Sequence, residues 1–291
     1  MHTIQSDLLQ VKVNPHGAEL SSIVSKQTGT EYLWQRDLAW WYGQAPILFP
    51  IVCSLKNNTY TYNGESYNMT IHGFAKSSMF TVASASDTKI VFSLTDSEET
   101  RKQYPFGFLF EAVFEVEGNK LHTTYRVTNT NDSIMYFSVG AHEAYRCPRE
   151  DDESFDDYYL EFAEDNTYVS ETPGKDGLKI GDTYTVVESG RVIPLHYGWF
   201  EKDTLVFKNV PCSRISLKSK KSAAVLEVDY RDAPYLGIWT KIGAPYVCIE
   251  PWYGLPDEET HDGDITKKTG IIDLEAGGVF EWTHTISIIE P

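Results

Sequence analysis

Apolar and polar residues alternate near the start of the chain. Residues 8–13 alternate, Pro15 and Gly17 interrupt the pattern, and residues 19–24 resume it. A period of two places every second side chain on one face, which is typical of a half-buried strand and not of an amphipathic helix. The sequence therefore predicts β structure from the outset.

Two tight hairpins are predicted by their turn residues. Asn63-Gly64 tolerates the positive φ values that a type I′ turn requires. Gly118-Asn119 marks a second turn within the alternating residues 112–127. Further strands are predicted at 90–94, 134–139, 185–187, 204–207, 214–217, 224–230 and 279–288.

This pattern predicts an all-β fold. About a dozen short strands with almost no amphipathic helix favour a sandwich or a barrel. Short helices are expected only near 95–102 and at 46–49. No Ser/Gly/Pro linker or repeat divides the sequence, so one domain over residues 1–291 is expected.

Charge and composition narrow the possible partners. The 291 residues carry a formal net charge of −17 and no continuous basic stripe, which argues against nucleic acid or an anionic membrane as partner. The first ten residues lack the basic and apolar regions of a signal peptide, and no apolar run approaches the length of a membrane span. We therefore expect a cytoplasmic protein, and the sequence leaves monomer and homodimer open.

The cysteines and the acidic stretch suggest no structural disulfide or metal. Cys53, Cys147, Cys212 and Cys248 have no C-x-x-C spacing, so reduced, buried thiols are expected. Residues 150–157 are strongly acidic but lack the glycine and ligand spacing of a calcium loop, which favours a solvated loop.

Glu250 is the first candidate for chemistry. It lies in the apolar, β-prone run 246–254, and burying an ionised carboxylate without a partner is costly. Pro251 cannot donate to a β ladder, so the strand is expected to end at Glu250. Trp252 offers an apolar face on which a sugar could stack. The alternative is a structural glutamate at a turn.

Two histidines lie in unusual settings. His72 precedes Gly73, which permits close backbone approach, and His142 follows the predicted strand 134–139, so it is expected to project into a cleft. Either could be a structural histidine with a satisfied hydrogen bond. Together with Glu250 they form a set able to give and accept protons near neutral pH.

Other classes of site have weaker support. A zinc site built from His72, His142 and Glu250 lacks the usual ligand spacing. No G-x-S-x-G, P-loop or G-x-G-x-x-G motif is present. A glycosidase stays open, because Glu250 could pair with Asp203 or Glu143 at a separation that the sequence does not set.

Seven short motifs are specific in their order and spacing: GAELSSI at 17–23, PILFPI at 46–51, HGFAK at 72–76, YPF at 104–106, SVGAH at 138–142, DTLVF at 203–207 and IEPW at 249–252. On these motifs the chain resembles, over essentially its whole length, the aldose 1-epimerase (galactose mutarotase) superfamily, in particular its bacterial LacX-like branch. The resemblance implies a β-supersandwich with an open cleft, no cofactor or metal, and interconversion of the anomers of an aldohexose.

The resemblance also implies roles for single residues. Glu250 matches the general base that takes the proton of the sugar's O1 hydroxyl, and His142 matches the general acid that protonates the ring oxygen O5. His72 matches a histidine that hydrogen-bonds the sugar. Asp203 matches an acidic residue that holds sugar hydroxyls, and Trp252 would line the cleft.

The chain departs from the family pattern at Cys53-Ser54, where related sequences often have Gly-Arg, and at Glu143. Ser54 stands where related sequences often have an arginine that contacts the sugar, and Lys56 is expected to substitute if residues 54–56 form a strand. Glu143 replaces a proline; it would raise the pKa of His142 if it pointed into the cleft, but as a strand neighbour it is expected to face away.

Lys76 bears on the choice of substrate. A similar motif in hexose-6-phosphate mutarotases ends in an arginine that serves the phosphate, so Lys76 and Lys56 could form a phosphate pocket. A surface lysine is the competing interpretation, and a free aldohexose is the expected substrate. The rival functions are a hexose-6-phosphate mutarotase, a carbohydrate-binding protein without activity, and a glycoside hydrolase or lyase.

Overall fold

The computed structural model describes the backbone of residues 1–291 and every side chain except that of Lys175. It is built almost entirely of antiparallel strands, so the predicted all-β class is confirmed. The strands are β1 (His2–Gln5), β2 (Leu9–Asn14), β3 (Glu19–Ser25), β4 (Thr59–Tyr62), β5 (Glu65–Asn68), β6 (Thr81–Ala85), β7 (Lys89–Thr95), β8 (Phe108–Glu117), β9 (Lys120–Asn129), β10 (Met135–Phe137), β11 (Val139–Gly140), β12 (Glu143–Arg146), β13 (Tyr158–Pro173), β14 (Lys179–Pro194), β15 (Leu205–Lys208), β16 (Arg214–Ser219), β17 (Val225–Asp229), β18 (Tyr235–Trp239), β19 (Tyr246–Tyr253), β20 (Ile272–Leu274) and β21 (Val279–Ile289).

One large sheet dominates. Its 14 strands follow the order β11-β19-β18-β15-β13-β16-β17-β21-β9-β8-β7-β6, with β12 also paired to β19 and β14 paired to β13. Smaller sheets are formed by β1-β2-β3, by β4-β5 and by β10-β20. The helix α1 spans Glu98–Arg101, and single 3₁₀ turns occur at Lys56–Asn58, Ala75–Ser77, Phe155–Asp157, Lys175–Gly177, Tyr197–Phe200 and Ile265–Lys267.

The period-two pattern explains how the sheet builds its core. Along β9, the residues at 121, 123, 125, 127 and 129 are buried, whereas their neighbours are partly exposed. Apolar side chains from these faces join a core that extends from Ile4 to Ile288. Phe49 lies among aromatic rings there and stacks on Phe110 at a centroid distance of 4.7 Å. Such burial contributes about 1.5–3 kcal/mol per large apolar side chain.

Two elements that were predicted from local sequence signals are present in the structure. Asn63 and Gly64 have φ values of 50° and 83°, so the predicted turn between β4 and β5 is confirmed. The helix near 95–102 is also confirmed as α1: Ser97 caps it by accepting a hydrogen bond from the Thr100 amide at 3.2 Å, and the Thr100 hydroxyl accepts from the Ser97 amide at 2.8 Å.

The helix expected at 46–49 is wrong. Leu48 forms an antiparallel bridge with Gly140, and Phe49 a parallel bridge with Gly73, so this segment is extended and tied to two distant parts of the chain. Those tertiary hydrogen bonds replace the local ones that a helix would use.

The longest hairpin was predicted only at residues 185–187. The strands β13 and β14 have 16 residues each, and they pair through several register shifts. Most of β14 is exposed, so its sequence carries little apolar alternation from which a strand could be predicted. The tip of this hairpin overhangs the cleft described below.

The strand containing Glu250 does not end there, contrary to the prediction. It continues to Tyr253 as β19. The carbonyl of Pro251 accepts a hydrogen bond from the Ala141 amide at 3.1 Å. Because N–H and C=O groups of one residue point to the same neighbour in an antiparallel pair, the missing N–H of Pro251 faces the break between β11 and β12. Proline is tolerated because no ladder bond is lost.

Among the residues described, none of the helices has the length and apolar character needed to cross a membrane.

Candidate active site

His142 and Glu250 face each other across two neighbouring strands. On one side Gly140 pairs with Trp252, and on the other Glu143 pairs with Ile249, so the register places His142 opposite Glu250. The His142 Nε2 atom lies 3.4 Å from a Glu250 carboxylate oxygen. Both residues are buried, with 8% and 1% of their surface exposed. The predicted strand-end placement of Glu250 is thus replaced by a cross-strand pair.

Burial changes the proton affinity of both groups. Removal from water raises the pKa of Glu250 well above its usual range, and repulsion from Glu143 and Asp203 adds to this. Burial lowers the pKa of His142 to about 3, and the ammonium of Lys76 also lowers it. The two shifts act in opposite directions, so a proton shared by the pair is favoured on the Glu250 carboxyl over the His142 imidazole.

His72 is fixed by its own backbone and by Cys53. It adopts a φ of 64°, and its amide donates to the Cys53 carbonyl at 3.0 Å. The Cys53 amide in turn donates to His72 Nδ1 at 3.1 Å, so the neutral ring carries its proton on Nε2. Burial and the neighbouring His142 keep the pKa of His72 well below its usual value, which favours that neutral form.

Gly73 is required for this arrangement. Its φ is 68°, and a Cβ there would overlap the carbonyl group of Phe49. The sequence argument that Gly73 permits close backbone approach therefore holds, although what approaches is the chain itself and not a ligand.

Aromatic side chains form the walls around the pair. Trp41 stacks on His142 at a centroid distance of 5.1 Å and an interplanar angle of 28°, and Trp239 packs edge-on at 6.0 Å. The Nδ1 atom of His142 is buried without a hydrogen-bond partner among the described residues. Packing, and not a second carboxylate, holds this ring.

The side chain of Trp252 fits between two glycines. A Cβ on Gly140 would lie 2.7 Å from Trp252 Cδ1, and one on Gly237 would overlap the six-membered part of the indole. Both glycines lie opposite residues of β19 in the register. Small residues on each neighbouring strand therefore let the indole lie flat in the cleft.

These residues line a cleft of about 550 Å³. It brings together the sequence candidates Glu250, His142, His72, Asp203, Lys76, Trp252 and Ser54. Asp203 adopts a φ of 95° at the start of the segment that leads into β15, and it is exposed to the cleft. Ser54 lines the cleft close to the 3₁₀ turn at the tip of the β13–β14 hairpin.

Lys56 is the exception, and its expected place beside the sugar is wrong. The residues after Ser54 form a 3₁₀ turn at Lys56–Asn58 and not a strand, so the two-residue spacing does not put both side chains on one face. The Lys56 ammonium donates to the His261 carbonyl at 3.1 Å, and Lys56 is not among the residues that line the cleft.

Lys76 reaches the cleft as a half-buried side chain. Its ammonium donates to the carbonyls of Ile71 and Gly73, the latter at 2.8 Å. Burial lowers the pKa of Lys76 to about 8, so it is mostly cationic at neutral pH. Lys76 is therefore not fully exposed, because the loop from His72 to Ser77 folds the side chain back over its own carbonyls.

Glu143 faces away from the cleft, as expected of a strand neighbour. Its carboxylate lies 2.9 Å from His284 Nε2 in the core, and both residues are buried. It acts on the site only through space, by raising the pKa of Glu250.

Sequence reasoning missed several cleft residues. Trp41 and Trp239 come from segments far apart in the chain, and the tandem tryptophans at 40–41 were the one available signal. Arg36 also lines the cleft and forms an ion pair with Glu19, whose carboxylate accepts from the Gln44 amide at 3.0 Å. Nothing local in the sequence links Arg36 to Glu19.

Comparison with known proteins identifies the family. The family model described as aldose 1-epimerase matches residues 1–270, and the chain belongs to the aldose 1-epimerase superfamily. This membership indicates a sugar epimerase or mutarotase role with a sugar as substrate.

Within the superfamily the chain belongs to the LacX-like branch, as the resemblance implied. It is 33% identical over 262 residues to the chromosomal Protein LacX of Lactococcus lactis subsp. lactis, covering 87% of each chain.

Two solved structures share the fold. A galactose mutarotase related enzyme from Lactobacillus acidophilus is 34% identical with a TM-score of 0.95, covering 99% of this chain and 97% of that one. A galactose mutarotase-like protein from Lactobacillus casei ATCC 334 is 29% identical with a TM-score of 0.94, covering 99% and 100%. The predicted galactose mutarotase-like sandwich is confirmed.

Proposed function

We propose that this protein is an aldose 1-epimerase that interconverts the α and β anomers of an aldohexose by general acid–base catalysis, without a cofactor. The observation that carries the proposal is the 3.4 Å separation of His142 Nε2 and the Glu250 carboxylate inside a tryptophan-walled cleft. The sugar oxygens O1 and O5 are bonded to the same carbon, so their acid and base must be close neighbours.

The reaction uses one proton on the pair; burial favours it on the Glu250 carboxyl, so it first passes to His142 across their 3.4 Å contact. Glu250 as carboxylate takes the proton of the O1 hydroxyl while the C1–O5 bond breaks and His142 as imidazolium gives its proton to O5. The product is the open-chain aldehyde. After rotation about the C1–C2 bond, His142 takes back the O5 proton as O5 attacks C1, and Glu250 returns a proton to O1. After one cycle the pair carries the same number of protons as at the start.

The remaining cleft residues bind and orient the sugar. His72 carries its proton on Nε2 and is suited to donate a hydrogen bond to a sugar oxygen. Asp203 offers an exposed carboxylate to sugar hydroxyls, and Trp252, Trp41 and Trp239 offer apolar faces to the C–H groups of the ring. Ser54 stands where related sequences often have an arginine that contacts the sugar. Arg36 supplies a guanidinium group to the cleft from another segment of the chain.

A hexose 6-phosphate is the second candidate substrate, and Lys76 favours it. Arg36 and Lys179 also line the cleft among the described residues, but each is already in an ion pair. Arg36 pairs with Glu19, and Lys179 pairs with Glu258. Lys76 bonds to carbonyl oxygens, which a phosphate could replace or supplement. The acidic lining from Glu171, Asp176 and Asp203 favours the neutral sugar, which stays first choice.

Exchange spectroscopy tests the function directly. Magnetisation exchange between the two anomeric protons is measured by NMR for glucose, galactose and their 6-phosphates with wild-type protein and with Glu250→Gln. Faster exchange that disappears in the variant supports the proposal and identifies the preferred sugar. Binding of a sugar without faster exchange would favour the carbohydrate-binding alternative instead.

A further inference from the structure

Cys248 lies next to the acid–base pair on the same face of β19. It precedes Glu250 by two residues, so both side chains point to one side of the sheet. A zinc site of His72, His142 and Glu250 was not supported by the ligand spacing in the sequence. The structure instead groups one donor atom each from His142, Cys248 and Glu250 within 4.8 Å of one another, and all three residues are buried.

These three donors suit a soft divalent cation. Imidazole nitrogen, thiolate sulfur and carboxylate oxygen are the zinc ligands in proteins, at about 2.0–2.3 Å from the ion. Two ligands of a tetrahedral ion at those lengths are roughly 3.3–3.7 Å apart. His142 Nε2 and the Glu250 oxygen already lie 3.4 Å apart, and the Cys248 sulfur lies within 4.8 Å of the donor atoms of both residues.

The surroundings provide an entrance and a closed rear wall. His142 and Glu250 line the cleft, from which an ion can enter. Cys248 is fully buried behind them and packs with Trp34, Ala144 and Tyr246. Three protein ligands would leave the fourth position open towards the cleft, as in sites where zinc keeps one exchangeable ligand.

We propose that zinc binds to His142, Cys248 and Glu250 and inhibits the enzyme. The inhibition rests on the function proposed above, because an ion there occupies the imidazole lone pair and the carboxylate that act on the sugar. The binding itself does not depend on that function. Zinc is in this account a competitor of the sugar and not a resident cofactor.

Cobalt reports the ligands without any activity assay. Metal-free protein is titrated with Co²⁺, and a thiolate-to-cobalt charge-transfer band is expected in the wild type and in Cys212→Ser, which loses a buried thiol outside the site. The band is expected to be absent in Cys248→Ala. A wild type without the band, or a Cys248→Ala protein that keeps it, would overturn the site.

Zinc affinity and inhibition complete the test. By calorimetry, one Zn²⁺ is expected per chain, with a dissociation constant at least about tenfold higher in Cys248→Ala, because losing a direct ligand should cost no less than losing an outer-shell partner. Thermal unfolding of each metal-free variant shows that it folds. Equal zinc affinity in wild type and Cys248→Ala would contradict the proposal.

The two proposals fail separately. If zinc binds through Cys248 but the protein accelerates no anomeric exchange, the metal site stands and the epimerase function falls. If exchange is accelerated and saturating zinc leaves its rate unchanged, the inhibitory site falls. Inhibition is expressed for each variant relative to its own rate in chelator-treated buffer, so a change in basal activity does not affect the comparison.

Discussion

Glu250 in β19 lies opposite His142 in the break between β11 and β12, where Pro251 leaves the ladder without a donor. The break between β11 and β12 that this proline matches is also the point at which His142 enters the cleft. Pro251, which was expected to end the strand, thus lies beside the Glu250–His142 pair. The effect of this pair on proton transfer can be measured.

The pH profile of kcat/KM should be broad. Activity needs one proton on the pair, and burial lowers the pKa of His142 to about 3 while it raises that of Glu250. The one-proton form therefore extends below pH 4.5, the ordinary value for a glutamate, and its upper limit is the raised pKa of Glu250. Rates measured from pH 4 to pH 9 in chelator-treated buffer check this, and a rate that is lost as the pH falls to 4.5 would contradict it.

Glu250→Gln should stabilise the fold, increasingly so as pH rises. The folded pKa of Glu250 is raised, so the unfolded chain releases this proton at lower pH than the folded one, and folding weakens as pH rises from 4.5 through the folded pKa. Glutamine cannot lose a proton. Above both pKa values, each unit of difference corresponds to about 1.4 kcal/mol in the free energy of unfolding.

Urea unfolding at pH 4 and pH 8 measures this effect. The difference in the free energy of unfolding between Glu250→Gln and wild type should be larger at pH 8 than at pH 4. Glu275→Gln, at an exposed position, is the control and should show no such trend. A variant that is less stable than wild type at pH 8 would show that Glu250 is ionised and well partnered in the fold.

Gly237→Ala should displace the indole of Trp252. A methyl group there overlaps the ring, and overpacking of this kind costs about 1–3 kcal/mol of unfolding free energy. Since Trp252 lines the cleft beside Glu250, KM for the sugar should rise as well. Gly190→Ala on β14 is the control, because its nearest contact would be a valine methyl at 3.3 Å. Equal Tm and KM in both variants would mean that the Trp252 indole has room for the added methyl group, which would contradict the prediction.

Lys76 should govern any preference for a 6-phosphate. Losing one charge-assisted hydrogen bond costs about 1.5–3 kcal/mol, so Lys76→Ala should raise KM for the 6-phosphate at least about tenfold more than for the free sugar. In the wild type this KM should rise above pH 8, where the Lys76 ammonium loses its charge. Lys56→Ala is the matched control, since its ammonium bonds to the His261 carbonyl. A similar effect of both substitutions would remove Lys76 from this role.

Local signals were sufficient for part of the fold. Asn63-Gly64 and the capped helix at Ser97 depend on backbone preferences within a few residues, so they could be predicted. Most of the β13–β14 hairpin could not, because β14 is largely exposed and carries little apolar alternation. The segment 46–49 was misassigned because its backbone hydrogen bonds go to His72, Phe74 and Gly140, which are distant in sequence.

The residues of the candidate site were likewise only partly predictable from the sequence. Glu250, His142 and His72 stand out in the sequence as polar residues within apolar or glycine-containing segments. Trp41, Trp239 and Arg36 reach the cleft through tertiary packing, and Cys248 becomes relevant only through the strand register that puts it beside the pair. Lys56 was misplaced because a 3₁₀ turn replaced the expected strand.

The most direct test of the account is steady-state kinetics of mutarotation by wild type, Glu250→Gln and His142→Asn on the preferred sugar. Each substitution should lower kcat by about 10²- to 10⁴-fold with little change in KM, because each group acts on the transition state. Thermal unfolding confirms that both variants fold. Variants that keep kcat near the wild-type value, or change only KM, would contradict a role for this pair in proton transfer.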